Sequence, residues 1–265
     1  MFFIFAAALL WSTIGVVAAL VKDVVWLAFF RSLAAALLAA GLGARLWRAA
    51  AVPGVLLAGL FTVYPAAAVY AGLGTAAYLL YTAPLWTAAA LFIQGERPTR
   101  WEAAGVGLVL AAVVLMIYAS AAGEVSPVGL AAGLASGVFY GLYIAAARRL
   151  SARGAEREAS LGALLYTPVA VAPLAFIHWV GGGRPGLVEA AGGVYLALFA
   201  TVLPYYLFAK ALKETRGARA AVAASVEPAL AAAWGFLIFG QVPGVYTLVA
   251  YLLITLAVLI STKRF

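Results

Sequence analysis

Apolar residues in this chain fall in long runs divided by short polar gaps. Ten such runs lie near 2–21, 24–43, 52–71, 74–94, 102–121, 128–147, 161–180, 191–209, 218–239 and 245–262. Each approaches the roughly 20 apolar residues that a helix needs to cross a hydrocarbon core about 30 Å thick. The pattern predicts an all-α polytopic membrane protein with ten transmembrane helices. The first run lacks a cationic leader and is too long for the apolar core of a signal peptide, so it reads as a transmembrane helix.

The polar gaps differ in charge. Arg45, Arg48, Arg97, Arg100, Arg148, Arg149, Arg153, Arg157, Lys210, Lys213, Arg216, Arg219, Lys263 and Arg264 occupy every second gap or end, whereas the alternate gaps hold only Lys22 and Arg184. Cytoplasmic loops carry the excess of Lys and Arg, so both termini are expected in the cytoplasm of a multi-pass protein of the plasma or inner membrane. Arg31, the remaining cation, lies inside the second run.

The polar segment Ala122-Gly-Glu-Val-Ser-Pro127 divides the chain, with five runs on either side. Because five is odd, a second copy of a five-helix unit enters the membrane inverted. The expected organisation is a repeat over 1–121, a linker at 122–127 and an inverted repeat over 128–265. Weak internal similarity agrees. Tyr81-Thr-Ala-Pro84 leads through an apolar run to Gly95-Glu96, and Ser225-Val-Glu-Pro228 leads likewise to Gly240-Gln241. Pro65 and Pro204 form a second matched pair. Each proline removes an amide hydrogen and is expected to kink its helix, either shaping the bundle or opening a wet cavity.

Composition excludes several chemistries. The chain is 67% hydrophobic and 10% charged, with no Cys and one His. Thiolate chemistry, disulfides and Cys-based metal sites are therefore ruled out, and no metal or cofactor is expected. The formal net charge of +8 is scattered over short loops and forms no compact basic stripe. It reads as topology and contact with membrane lipid, with no nucleic-acid partner. No Gly-Lys-Ser or Gly-Lys-Thr phosphate loop is present.

Glu227 carries the most information, because a carboxylate about ten residues into a span is costly in hydrocarbon and is by default functional. It is a coupling candidate, able to hold a proton or to stay ionised against a cationic substrate. A structural role, paired with Arg31 or with carbonyls freed at Pro228, stays open. Arg31 can snorkel to the surface, pair with a carboxylate or bind an anionic group. Gly129, Gly133, Gly137 and Gly141 recur every four residues and read first as a packing seam. His178, beside Trp179 near a span end, reads as interfacial. Mid-span Tyr needs a hydrogen-bond partner that lipid lacks. Tyr81, Tyr140 and Tyr205 are thus expected to face the interior, and Trp11, Tyr78 and Trp234 join them as cavity candidates.

These residues together resemble the EamA branch of the drug/metabolite transporter superfamily. The resemblance rests on Trp11-Ser-Thr-Ile-Gly15, Phe30-Arg31-Ser-Leu-Ala-Ala, Tyr81-Thr-Ala-Pro84 through Gly95-Glu96-Arg97, and Glu227-Pro228 through Phe239-Gly240. Gln241 stands where the family usually has an acid, and Gly137-Val-Phe-Tyr140 where it usually has Trp. The resemblance implies two inverted repeats, a central cavity among spans one, three, four, six, eight and nine, and alternating access that moves a small organic metabolite without ATP. The expected function is a secondary transporter, not an enzyme, working as a monomer and coupled to protons or to exchange. The alternative is a membrane-embedded enzyme or lipid-handling protein, which would usually gather several acids, imidazoles or metal ligands at one depth.

Overall fold

The computed structural model describes residues 2–97, 99–204, 207 and 225–261, and among these it contains helices and connecting turns but no strand. Seven helical elements are long and apolar enough to cross a membrane: α1 (Phe2–Val21), α2 (Val24–Gly41), α3 (Arg48–Ala71), α4 (Leu73–Ile93), α5 (Arg100–Ala121), α6 (Pro127–Ser151) and α7 (Glu158–Val180). Three shorter apolar elements complete the described set, namely α8 (Leu187–Val202), α9 (Val226–Phe239) and α10 (Val245–Ser261). The sequence pattern predicts longer eighth and ninth spans. Their missing portions, with Tyr205, Lys210, Lys213, Arg216 and Arg219, lie outside the described residues, as do Lys263 and Arg264.

Local chemistry sets several helix starts. Asp23 Oδ1 accepts from the amides of Val25 and Trp26 and so caps α2. Thr99 and Glu102 exchange the two bonds of a capping box at α5. Ser126 caps α6, where Pro127 occupies the first turn at no hydrogen-bond cost. The left-handed turn that ends α9 falls on Gly240, with φ 64°.

Outward faces are apolar. Leu37, Ile93, Ile177, Leu237 and Leu252 stand exposed on different helices, as suits side chains that meet lipid. Inside, the glycine row of α6 lies against α3 and α4. A methyl at Gly129 would come within 2.5 Å of the Ala71 amide nitrogen, and one at Gly141 within 2.5 Å of the Ala83 carbonyl oxygen. Only glycine lets these backbones approach so closely, so the row is a packing seam.

Helix breaks differ from the expected kinks. Pro65 lies within one helical run, Ala51–Ala71, while Pro84 sits in the first turn of a new segment, Ala83–Ile93, after a turn at Tyr81 and Thr82. Pro228 likewise falls in the first turn of α9. An early helical position leaves proline's missing N–H unneeded, and Pro84 and Pro228 each stand in the first turn of a helical segment, Pro84 just after a break within its span. Pro65 leaves the Phe61 carbonyl without its intrahelical donor while the helix continues. Pro204 is buried just beyond α8.

Two further packing patterns position the site. α2 packs on α7, α4 on α9 and α5 on α10, while α3 lies along α6, α2 along α8 and α1 against α9. At one end Arg148 meets Glu96 at 2.6 Å, and Arg157 reaches the Leu42 carbonyl. At the other, His178 meets Asp23 at 2.8 Å and Ser126 donates to the Tyr70 carbonyl. We call these the arginine-rich end and the far end.

Candidate functional site

A cavity of about 290 Å³ lies at mid-helix depth, bordered by α1, α2, α3, α4, α6, α8, α9 and α10. Of the sequence-predicted residues, Trp11, Tyr81, Tyr140 and Glu227 line it, and so does Arg31, the intramembrane cation for which snorkelling, pairing with a carboxylate and binding an anionic group were all open. Pro84 also lines it. Tyr78 stacks instead on Tyr251, with ring centroids 3.9 Å apart, and Trp234 Nε1 donates to Ser12 Oγ at 3.0 Å, tying α9 to α1. Neither of these two is part of the cavity lining.

The two ionisable side chains are held by hydrogen bonds from and to their neighbours. Glu227, 5% exposed in the first turn of α9, accepts a hydrogen bond from the Tyr81 hydroxyl at 3.1 Å. A carboxylate at a helix N-terminus also meets the positive end of the helix dipole. Among the described residues Glu227 joins no ion pair. Arg31 is 4% exposed, so it does not snorkel to the surface. Its Nε and Nη2 donate to Thr201 Oγ1 at 3.3 and 3.1 Å, and its guanidinium lies 3.9 Å from the centroid of the Phe61 ring. That distance suits a cation–π contact. Thr201 Oγ1 in turn donates to the Leu196 carbonyl, five residues back, because the last turn of α8, Leu198–Val202, is π-helical.

Tyr64 is a functional candidate that the sequence reading passed over. It lines the cavity from α3, is 2% exposed, and its hydroxyl has no hydrogen-bond partner among the described residues. A buried phenol left unpaired is costly and calls for an occupant of the cavity. Phe61 and Thr201 were also missed. The spacing of Ala28, Arg31, Ala35 and Ala39 could have flagged Arg31 as inward, since all four fall on one buried helix face.

The cavity differs at its two ends. A second cavity, of about 470 Å³, opens at the arginine-rich end among Glu96, Arg97, Thr99, Glu102 and Arg148, and shares Pro84 and Ile144 with the first. At the far end Gln241 Oε1 accepts from the Leu73 amide at 2.9 Å, Thr75 and Tyr251 share a hydrogen bond at 2.9 Å, and Gly74 packs directly on Ala232. Glu124 adds a clasp there. It accepts from the Thr247 hydroxyl and from the amides of Thr247 and Tyr246, fastening the α5–α6 turn to the start of α10. His178, expected as a solvated interfacial residue, is half-buried against Asp23.

Residues 127–263, more than half of the chain, match the EamA-like transporter family. The chain belongs to that family. It is therefore a multi-pass membrane transporter of the drug/metabolite type. No curated protein matches the chain. One solved structure, described as a crystal structure of a protein, aligns over 98% of this chain and 94% of its own at 23% identity with a TM-score of 0.60, and shares the fold.

Proposed function

We propose that this EamA-like protein is a secondary active transporter that carries a small organic metabolite across the cell membrane by alternating access. The observation that carries this reading is a buried cavity with ionisable side chains on its wall, sharing wall residues Pro84 and Ile144 with a second cavity at one end and flanked by interhelical hydrogen bonds at the other. With the arginine-rich end in the cytoplasm, as its cations favour, this is an inward-open state with both termini cytoplasmic.

Two inverted five-helix repeats, 1–121 and 128–265 joined by 122–127, supply the second state. If α1 to α5 correspond to α6 to α10, then α2 with α7, α4 with α9 and α5 with α10 each pair a helix with its counterpart. The contacts of α3 with α6, α2 with α8 and α4 with α6 have their mates in α1 with α8, α3 with α7 and α1 with α9. A two-fold axis in the membrane plane would require such reciprocity. Exchanging the conformations of the repeats closes the vestibule and releases the far end. Each repeat brings part of its matched motif to the cavity, one with Tyr81 and Pro84, the other with Glu227.

Glu227 is the coupling residue in this scheme. Its carboxyl can hold a proton or the cationic group of a solute, and a group that binds one at the expense of the other couples their movements. Residues of a single chain line the cavity among the described residues, which is compatible with a monomer surrounded by lipid.

Efflux from liposomes tests the proposal. Vesicles containing the purified protein are loaded with a defined mixture of amino acids, nucleosides, polyamines and organic cations, and their contents are followed by mass spectrometry. At least one solute should leave faster than from protein-free vesicles, chemically unchanged. Retention of every solute, or conversion of one into a product inside the vesicle, would overturn the reading.

A further inference from the structure

We infer that the solute's path runs from the central cavity into a polar pocket at the far end, and that the Tyr251 side chain is the shutter between the two. The inference rests on the transport reading above and deepens it, by naming the route and the residue that gates it.

Three helices line both spaces. α4 gives Leu80 and Tyr81 to the central cavity, and Gly74 and Thr75 to a far-end pocket of about 240 Å³. α9 gives Glu227 to the first and Ala232 to the second, and α10 gives Val258 to the first and Tyr251 to the second. From Thr75 to Leu80, from Glu227 to Ala232 and from Tyr251 to Val258, the intervening helix rises only about 7–11 Å. The two spaces are thus divided by a layer that one or two side chains can fill.

Tyr251 is the side chain placed to do so. It is 7% exposed and the one aromatic on the pocket wall among the described residues. Its ring stacks on Tyr78 with centroids 3.9 Å apart, and its hydroxyl shares a 2.9 Å hydrogen bond with Thr75 Oγ1. The facing wall is small. A Cβ at Gly74 would stand 2.8 Å from the Ala232 Cβ and 3.0 Å from the Tyr251 hydroxyl oxygen. Glycine and alanine have no side-chain torsion with which to open a gap, whereas tyrosine can swing about χ1 without moving its backbone.

The pocket beyond suits the mouth of a route. Glu124, Gln241 and Thr247 give it hydrogen-bonding groups that a solute leaving the apolar layer can meet. Its outer hydrogen bonds also reach the shutter. Thr247 stands one turn before Tyr251 on the same buried face of α10, and Glu124 accepts from both its hydroxyl and its amide. The turn of helix that carries the shutter is therefore fastened to the α5–α6 turn, and parting of the far end would loosen both together.

Thiol labelling tests this with no solute present. Single cysteines enter a chain that has none of its own: Val258→Cys in the central cavity, Val242→Cys on the exposed wall of the far-end pocket, and Val171→Cys, buried on α7 against Ala28 and Ala58. Right-side-out or inverted membrane vesicles are used, whichever present Val242→Cys to a membrane-impermeant quaternary-ammonium methanethiosulfonate. With Tyr251 in place, Val258→Cys should react far more slowly than Val242→Cys. Tyr251→Ala should speed Val258→Cys about tenfold or more, and Tyr251→Phe, which keeps the stack but loses the Thr75 bond, should speed it several-fold and serves if the alanine variant fails to fold. Val242→Cys and Val171→Cys should keep their rates. Val258→Cys reacting as fast as Val242→Cys with Tyr251 present, or sped by neither variant, would overturn the inference. So would an equal rise at Val171→Cys, which would mean general loosening. If liposomes release a solute while Val258→Cys is indifferent to Tyr251, the route lies elsewhere and transport stands. If labelling behaves as expected but nothing leaves the liposomes, the route stands and the transport reading falls.

Discussion

At the far end, Leu73–Leu80 of α4 runs against the C-terminal half of α9 through Gly74, Ala232 and Gly235, and Gln241 adds a bond to the Leu73 amide. From Tyr81 onward the same two helices enclose a cavity, and their contact is a hydrogen bond between large polar side chains, Tyr81 and Glu227. Small residues at one end bring the backbones together. Prolines in helix first turns, beside bulky polar groups, hold them apart at the other. One helix pair thus contains a close-packed stretch, which would act as the seal in alternating access, and a stretch that lines the cavity, and the side chains at the two contacts differ in volume.

The largest effect should come from the chamber. Glu227→Gln keeps the shape and hydrogen-bonding capacity of a protonated acid but cannot ionise. Efflux should fall to the protein-free background, while the melting temperature moves by less than about 4 °C. A much larger fall in melting temperature would make Glu227 a structural counter-charge whose loss strands Arg31, at a cost of several kcal/mol. Next comes the seam that anchors α4. Gly141→Leu would drive side-chain carbon into the Ala83 carbonyl and the Trp86 side chain, and should destabilise the protein by about 1–3 kcal/mol in denaturant titrations.

The smallest effect belongs to the far-end clasp. Partial desolvation pushes the Glu124 carboxyl up, but hydrogen bonds from Thr247 and from the amides of Tyr246 and Val245 together outweigh it and hold it below the usual carboxylate value of 4.5. Since the folded-state pKa lies below the unfolded one, the stabilisation is present above about pH 4.5 and fades as pH falls through the folded-state value. Glu124→Gln should lower the melting temperature by about 1–2 °C at pH 7, because the site is open to solvent. The gap should narrow as the pH falls below 4.5.

Apolar runs are a direct record of helices in a membrane chain, so the spans from α1 to α7 are legible in the pattern alone. Glu227 is legible for the same reason, since an acid in hydrocarbon has few explanations. Tyr64 and Phe61 are not, because aromatics at helical spacing look alike whether they meet a helix or a cavity. Thr201 was hidden by the π-helical turn, which no periodicity announces. Tyr78 misled because a mid-span aromatic ring packs equally well against a neighbouring helix, here α10, where it stacks on Tyr251. The kink expected at Pro84 became a helix start because the position within a helix, which decides what proline does, depends on where the preceding turn falls.

The seal offers the most direct test of alternating access. The Cβ of Leu73 lies 3.5 Å from where a Cβ at Gly235 would stand, within the range that a disulfide spans. The chain has no native cysteine to interfere. In Leu73→Cys/Gly235→Cys, oxidation should stop efflux from liposomes and a reductant should restore it, because the far end must part for the solute to cross. Undiminished efflux from fully cross-linked protein would contradict the account.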